Sequence, residues 1–393
     1  MDVANLIDKH PFGVVMLVNE FPPLRVGGGE RQAEQLCIQL VKQNINIGVL
    51  TRGDKDTLHS EIRDGFWVQR VQPRGPGKFK SFSFLLGAIY HLWRRRKQYQ
   101  IIHAHLAFTP AIAAALVGRL LRKPVIVKFG NSGKFGDIQV SQATRRGRLK
   151  LALLRRGGSR FIALDDAMHS ELLQAGFALS RLQRMNNGVD ATLFHPIADK
   201  SHLKFDLGIR DKTVILYIGR LTAQKSLPLL LRSFGQLTRK YPQVFLLLVG
   251  DGPDRPALAK LATQVGIREQ VRFIGNVDNV RPYLAASDIF VLPSVSEGMS
   301  NALLEAMSSG LACVVTRVGN ATEMLEDGSC GLLVEANNQK ELTQTLDRLL
   351  DNSQQRADLS KKARQRIEST YAIEIIGKSY QVLYETLLDE ILV

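Results

Sequence analysis

Short apolar runs separated by helical stretches recur along the whole chain and leave few folds open to it. In the first half they fall at 13–19, 45–51, 66–71, 101–104, 125–129, 161–164 and 182–186. The first is continuously apolar, as in a strand buried on both faces of a parallel sheet. Polar residues 198–212 then read as a linker, and a second series begins: 213–218, 244–249, 271–274, 289–292, 312–316 and 331–334. Helical patterns lie between most of these runs, and a βα series of this kind specifies a doubly wound parallel sheet. The chain has 393 residues, more than one hydrophobic core usually holds. The expectation is an α/β protein of two Rossmann-like doubly wound domains facing a central cleft, 1–197 and 198–373.

One stretch of the second series concentrates chemistry: Ser294-Val295-Ser296-Glu297-Gly298-Met299-Ser300-Asn301-Ala302-Leu303-Leu304-Glu305-Ala306-Met307. Glu297 follows the strand at 289–292, and ligands of open α/β sheets bind at the carboxyl ends of strands. Gly298 lets the backbone turn sharply or approach a ligand closely. The amides of Gly298, Met299, Ser300 and Asn301 open a helix, with unpaired donors at the positive end of its dipole. Glu305 lies about a turn further on, so the two carboxylates can hold hydroxyls at opposite ends of one polar ligand. Other strand ends match. Gly219-Arg220 follows the run at 213–218, with Lys225 just before a helix. A forked guanidinium and a mobile ammonium together suit a diphosphate. Gly250-Asp251-Gly252-Pro253 and Gly275-Asn276-Val277 let backbone approach a flat base or a sugar. Any one of these is ordinarily solvated surface; four at successive strand ends of one sheet form a site.

The first half is less explicit. A loop from Glu20 to Glu30 holds contiguous glycines, Gly27, Gly28 and Gly29, before a helix expected at 30–43. A glycine loop entering a helix can hold phosphate, but this one is neither the dinucleotide fingerprint nor a P-loop. His103 and His105 share one face of a strand; no third metal ligand is evident, and one of the two is expected to face the cleft. Asp54-Lys55-Asp56 has the spacing used to hold a divalent metal on a nucleotide diphosphate, yet its setting reads as a polar loop. Cys37, Cys313 and Cys330 are isolated and read as small core residues in a reducing compartment. No apolar run reaches the ~18 residues of a spanning helix, and no signal peptide is evident.

The charge is lopsided. The net charge is +15, and residues 1–195 hold 29 Lys and Arg against 14 Asp and Glu, while the rest hold 23 of each. A basic half points to an anionic partner. Residues 78–98 place Phe79, Phe82, Phe84, Leu86, Tyr90 and Trp93 ahead of Arg94-Arg95-Arg96-Lys97. That pattern suits a membrane-surface helix, or a sheet-covering helix whose basic last turn answers its dipole. No RNA-binding motif or aromatic platform is present, so nucleic acid is not an expected partner.

These motifs, in this order, resemble the glycosyltransferases of the large group-1 family (family 4), which have the GT-B fold. Glu297 to Glu305 resembles the family's Glu-x7-Glu signature, and Gly219-Arg220 with Lys225 its diphosphate pair. Gly28-Gly29-Glu30-Arg31 resembles its N-terminal glycine loop and Asn187-Gly188-Val189-Asp190 its interdomain turn. The likeness covers nearly the whole chain. It implies a nucleotide-sugar donor, with Arg220 and Lys225 stabilising the leaving diphosphate and Glu297 contacting the transferred sugar. Glu305 would bind the ribose, Val277 would line the base pocket, and Gly28, Gly29, Gly219, Gly298, Met299, Ser300 and Asn301 would complete the donor site. It further implies retention of anomeric configuration, no metal or other cofactor for the chemistry, and a terminal helix, 374–393, that returns to the first domain. The chain departs from the family at Gly130, where many relatives carry His facing the reacting sugar; His105, Lys128 and Asn131 are the candidates to take over on the acceptor side. Ser300 stands where relatives often have Pro.

The expected function is a cytoplasmic, membrane-peripheral glycosyltransferase acting on a lipid-linked or glycan acceptor in cell-envelope polysaccharide or lipopolysaccharide synthesis. A nucleotide-sugar epimerase on the same fold, or a basic binding protein with an inactive site, are the alternatives.

Overall fold

The computed structural model describes residues 13–24, 27–107, 109–133 and 136–392. The chain forms two compact units. The first is Met1–Gly188 with Ile373–Val393, and the second is Val189–Ala372.

The first unit is built on eight strands: β1 Gly13–Leu17, β2 Asn46–Arg52, β3 Ser60–Arg63, β4 Phe66–Val71, β5 Ile101–His105, β6 Val125–Lys128, β7 Arg160–Ala163 and β8 Leu182–Arg184. They lie in the order β3-β4-β2-β1-β5-β6-β7-β8. All pairs are parallel except β3 with β4. The central strands are apolar along their length because helices cover both faces; Val14, Val15, Met16 and Leu17 are all buried. The edge strand β3 is an addition to the sequence reading. A two-residue turn, Asp64-Gly65, both with left-handed φ, folds it back on β4, the geometry of a tight hairpin.

The helices Gly28–Lys42 and Ile373–Leu392 pack on each other. They share one core with β1, β2 and β4, through Leu36, Leu40, Met16, Val49, Val68, Tyr380 and Leu387. A second row consists of Lys78–Arg94, Thr109–Leu121 and Arg145–Gly157, packed side by side. The first of these covers the sheet with one face and exposes the other. Phe84, Ala88 and Leu92 are buried against the sheet, while Phe79, Phe82, Leu86, Tyr90 and Trp93 form an outward stripe, each 45–72% exposed.

The second unit is a six-stranded, wholly parallel sheet of β9 Thr213–Ile218, β10 Val244–Val249, β11 Val271–Gly275, β12 Ile289–Leu292, β13 Ala312–Thr316 and β14 Leu332–Val334. Its order is β11-β10-β9-β12-β13-β14, so strand order reverses between β9 and β12. The stretch 198–212, read as a linker, is structured: Ser201–Asp206 is helical, Lys204 pairs with Asp288 at 2.9 Å and Ile209 is buried. The first unit also ends before residue 197. Phe194 is buried in the second unit, and its carbonyl accepts from Ser308 Oγ at 2.6 Å and from Arg364 at 2.7 Å.

Candidate functional site

In the second unit the strand order decides which loops meet. β9 and β12 are neighbours on either side of the reversal, and the crevice beyond their carboxyl ends is where such sheets bind ligands. The loop after β9 carries Arg220 and Lys225; the loop after β12 carries Glu297. Lys225 Nζ donates to Glu297 Oε1 in a half-buried ion pair. Ser294 Oγ donates to the same oxygen at 2.6 Å. Two further bonds lock the loops together: Val295 N–H to the Gln224 carbonyl at 2.9 Å and Gln224 Nε2 to the Ser296 carbonyl at 2.7 Å. Arg220 is exposed, and its carbonyl accepts from the Tyr217 hydroxyl at 2.9 Å. Burial, and secondarily the charge of Glu297, push the Tyr217 phenol well above its ordinary range, so Tyr217 acts as a neutral donor.

Glu297 to Ser300 then enter the helix Asn301–Ser308, capped by Ser300, whose Oγ accepts from Leu303 N–H at 3.3 Å. Gly298 and Met299 are buried and Asn301 is half-buried. Glu305, only 9% exposed, lies within the helix. The loop is braced from below. Thr316 Oγ1 donates to the Ser294 carbonyl at 2.6 Å and Asn320 N–H to the Gly298 carbonyl at 3.1 Å. Gly319, at φ +55°, lies so close that a Cβ there would come within 2.5 Å of the Glu297 carbonyl. Only glycine satisfies both the left-handed backbone and that approach.

The loops after β10 and β11 join the same edge. Gly219 N–H bonds the Val249 carbonyl at 2.9 Å, Leu221 N–H the Asp251 carbonyl at 3.0 Å, and Gly250 N–H the Gly275 carbonyl at 2.7 Å. Val277, half-buried, follows Gly275 at the outer strand. The structure thus brings Gly219, Arg220, Lys225, Glu297, Gly298, Met299, Ser300, Asn301 and Glu305 to one edge of one sheet. Sequence reasoning did not single out Ser294, Gln224 and Gly319, whose part is to hold the Lys225–Glu297 pair. Ser294 and Gln224 lie next to the motif residues, but their partners are fixed only by the pairing of β9 with β12.

Gly28, Gly29, His105, Lys128 and Asn131 belong to the first unit. Its strand order reverses between β1 and β5, and the helix Gly28–Lys42 begins at Gly28 rather than after a glycine turn. Gly29 packs so tightly on Leu106 that a Cβ would lie 2.9 Å from it; the Gly130 position would lie 2.8 Å from the same side chain. Leu106 adopts φ +81°, a costly backbone for a leucine. Arg25, Val26 and Lys134 lie outside the described residues. Asn131 is exposed, and its loop is held by Gly130 N–H to Asp137 Oδ2 at 2.7 Å and Gly133 N–H to Glu171 Oε1 at 2.7 Å.

His103, His105 and Lys128 form one buried cluster. Both histidines are buried, His103 under the terminal helix with its Nδ1 2.9 Å from the Tyr384 hydroxyl. Lys128, 2% exposed, stands opposite His105 on the neighbouring strand and donates to Asn187 Oδ1 at 2.6 Å. Burial drives the lysine down to about 7. Burial, then the charge of Lys128, hold His103 down at about 3 and His105 well below the ordinary histidine range. The site therefore holds neutral imidazoles beside an amine that titrates near neutrality. Among the described residues no three His, Cys, Asp or Glu side chains gather closely enough to hold a metal. Asp54 is tied up in its own turn, where its Oδ1 accepts from Asp56 N–H at 3.0 Å.

Comparison with known proteins agrees with this architecture. A family model described as "Glycosyl transferases group 1" matches residues 199–366, and one described as "Glycosyltransferase Family 4" matches 26–193. The chain is 24% identical to N-acetyl-alpha-D-glucosaminyl L-malate synthase of Bacillus anthracis, over 93% of this chain and 95% of that one. It is 31% identical to the lipopolysaccharide core biosynthesis glycosyltransferase LpsE of Rhizobium meliloti, over 43% of this chain and 49% of that one. The crystal structure of HepE from Anabaena, in complex with UDP and glucose, superposes with a TM-score of 0.79 at 19% identity, covering 95% of this chain and all of the other. The two matched segments tile nearly the whole chain, one on each α/β unit: the chain belongs to the group-1, family 4 glycosyltransferases and has their GT-B fold.

Proposed function

We propose that this glycosyltransferase moves a sugar from a nucleotide-sugar donor, with retention of configuration and without a metal, to a lipid-linked or glycan acceptor of the cell envelope. The observation that carries the reading is the Lys225–Glu297 pair at the β9/β12 reversal, with Arg220 on the same loop and a helix N-terminus behind it. Breaking a glycosyl–phosphate bond builds negative charge on the departing diphosphate. Arg220, Lys225 and the opening amides of the helix Asn301–Ser308 are disposed to stabilise that charge as it forms. Glu297, fixed through Oε1, orients the sugar by its hydroxyls, and Glu305 holds the ribose. A diphosphate donor is favoured by the HepE complex with UDP, and an envelope acceptor by the lipopolysaccharide enzyme.

The test is calorimetric titration with UDP-, GDP-, ADP- and CDP-sugars. One donor binds, and Glu305→Gln weakens it about tenfold or more, the scale of a lost charge-assisted hydrogen-bond pair. Unchanged affinity in that variant removes Glu305 from the donor site.

An anionic membrane surface is the proposed location of the acceptor. Among the described residues no helix is long and apolar enough to cross a membrane. The outward stripe of Lys78–Arg94 has helical 3-4-4-3 spacing and runs into exposed Arg94 and Arg96; the helices Thr109–Leu121 and Arg145–Gly157, packed side by side with it, expose Leu116, Leu120 and Leu149 together with Arg145, Arg146 and Arg148. Aromatic side chains beside cations favour an anionic lipid interface. Replacing Phe82, Tyr90 and Trp93 together by Ser lowers sedimentation with vesicles of phosphatidylglycerol and phosphatidylcholine by about tenfold or more; undiminished sedimentation discards the membrane reading.

A further inference from the structure

At the end of the first sheet opposite to His105 and Lys128 lies a second concave site. It has a volume of about 370 Å³ and is lined by Arg119, Arg122, Lys123, Arg156, Arg160 and Arg181, with Glu390 as the one carboxylate. The cations arrive from separate elements: the C-terminal end of the helix Thr109–Leu121, the C-terminal end of Arg145–Gly157, and the residues leading into β6, β7 and β8. Glycines bring these elements together. A Cβ on Gly157 would stand 2.7 Å from that of Ala115, and one on Gly118 would strike Val125.

A basic surface is ordinarily solvated, and three of these side chains have local employment. Lys123 Nζ donates to the carbonyls of Arg96 and Tyr99, Arg181 reaches the Gly158 carbonyl at 3.4 Å, and Arg160 pairs with Glu390. Those bonds fix the walls. Arg119, Arg122 and Arg156 are exposed, and among the described residues they make no side-chain hydrogen bond or ion pair. Arg122 carries a second signal. It ends the helix at φ +55°, with Lys123 N–H returning to the Gly118 carbonyl at 2.9 Å. That position ordinarily takes glycine, and a long side chain there bears backbone strain. Cations crowded around one concavity also repel one another, and a bound anion offsets that repulsion.

We propose that this pocket binds a phosphate-bearing ligand carrying more than one negative charge, with the guanidinium forks of Arg119, Arg122 and Arg156 as its ligands and Glu390 as an internal competitor for Arg160. Guanidinium groups match phosphate oxygens in pairs, and a compact diphosphate fits the volume. The site belongs to the first unit alone and is separate from the loops after β9 and β12.

The probe is inorganic pyrophosphate, titrated calorimetrically into the full chain carrying Arg220→Ala and Lys225→Ala, so that binding at the second unit's sheet edge does not contribute. Binding persists in that protein, weakens about tenfold or more when Arg122→Ala and Arg156→Ala are added, and tightens about threefold with Glu390→Gln. The opposite signs of these variants separate loss of ligation from loss of fold. Absence of binding in the starting protein, or binding indifferent to the arginine pair, overturns the proposal. Vesicles of phosphatidylglycerol and phosphatidylcholine then identify the source of the phosphate. Sedimentation suppressed by pyrophosphate and by the arginine pair assigns a lipid headgroup, and sedimentation unaffected by either assigns a soluble phosphate.

Discussion

Replacing Lys225 with alanine lowers turnover by about 10²–10³-fold, roughly 3–4 kcal/mol of transition-state stabilisation, the usual cost of deleting one preorganised electrostatic group. The thermal midpoint moves little, because Lys225 is half-buried and its partner Glu297 keeps the hydrogen bond from Ser294. Lys225→Arg restores part of the rate: the charge survives, but a planar fork replaces a point donor between Glu297 and the proposed site of the diphosphate. Glu297→Gln in the Lys225→Ala background costs less than it does alone, because the two side chains share one bond and their effects do not add. Steady-state rates measured beside melting curves decide the matter; near-full turnover in Lys225→Ala removes the pair from catalysis.

Replacing Lys128 with methionine stabilises the first unit by about 2–3 kcal/mol at pH 7 and flattens its stability profile in alkali. Trading a buried charge for an apolar side chain of similar size typically gains about 1–4 kcal/mol. The folded protein holds Lys128 at about 7, against 10.5 for a free lysine. Between those values the unfolded chain binds the extra proton, so stability rises with pH by up to about 1.4 kcal/mol per unit across that window. His103, held at about 3, and His105 act in the same sense at lower pH. The unfolded histidines charge as pH falls through about 6.5 while the folded ones resist, and stability declines toward acid. Urea unfolding from pH 5 to 10 measures both slopes. Parallel profiles for Lys128→Met and the parent would show that the amine is not held down in the folded state.

The strands were legible because a parallel sheet covered on both faces writes itself as apolar runs; 213–218, 244–249 and 312–316 coincide with β9, β10 and β13. The edge strand β3 was not. Its residues, Ser60-Glu61-Ile62-Arg63, lack an apolar run, and the hairpin with β4 rests on the left-handed Asp64-Gly65 turn that the structure shows. The Ser201–Asp206 helix was hidden for a similar reason, since it is polar and anchored by Lys204 to a distant Asp288. At the site, the sequence supplied the groups at each strand end. It did not supply the adjacency of β9 and β12, which alone joins Lys225 to a glutamate 72 residues away. The buried cluster was least accessible, because His103 takes its partner from Tyr384, 281 residues on. Pattern reading over a short window does not reach that far.

That long span has a consequence for how the protein is made. The second unit is one contiguous segment, whereas the first is discontinuous, and its core includes Ile376, Tyr380, Leu383, Tyr384 and Leu387. Domains usually complete their folding in order as they leave the ribosome. Here the order is inverted: the earliest-made half waits, with the apolar face of Gly28–Lys42 uncovered, while the later half is translated and folds as an insert. Nascent chains in which residue 372 has just cleared the ribosome therefore hold every residue of the second unit and a first unit whose core is still open, and that core closes only as the helix Ile373–Leu392 emerges.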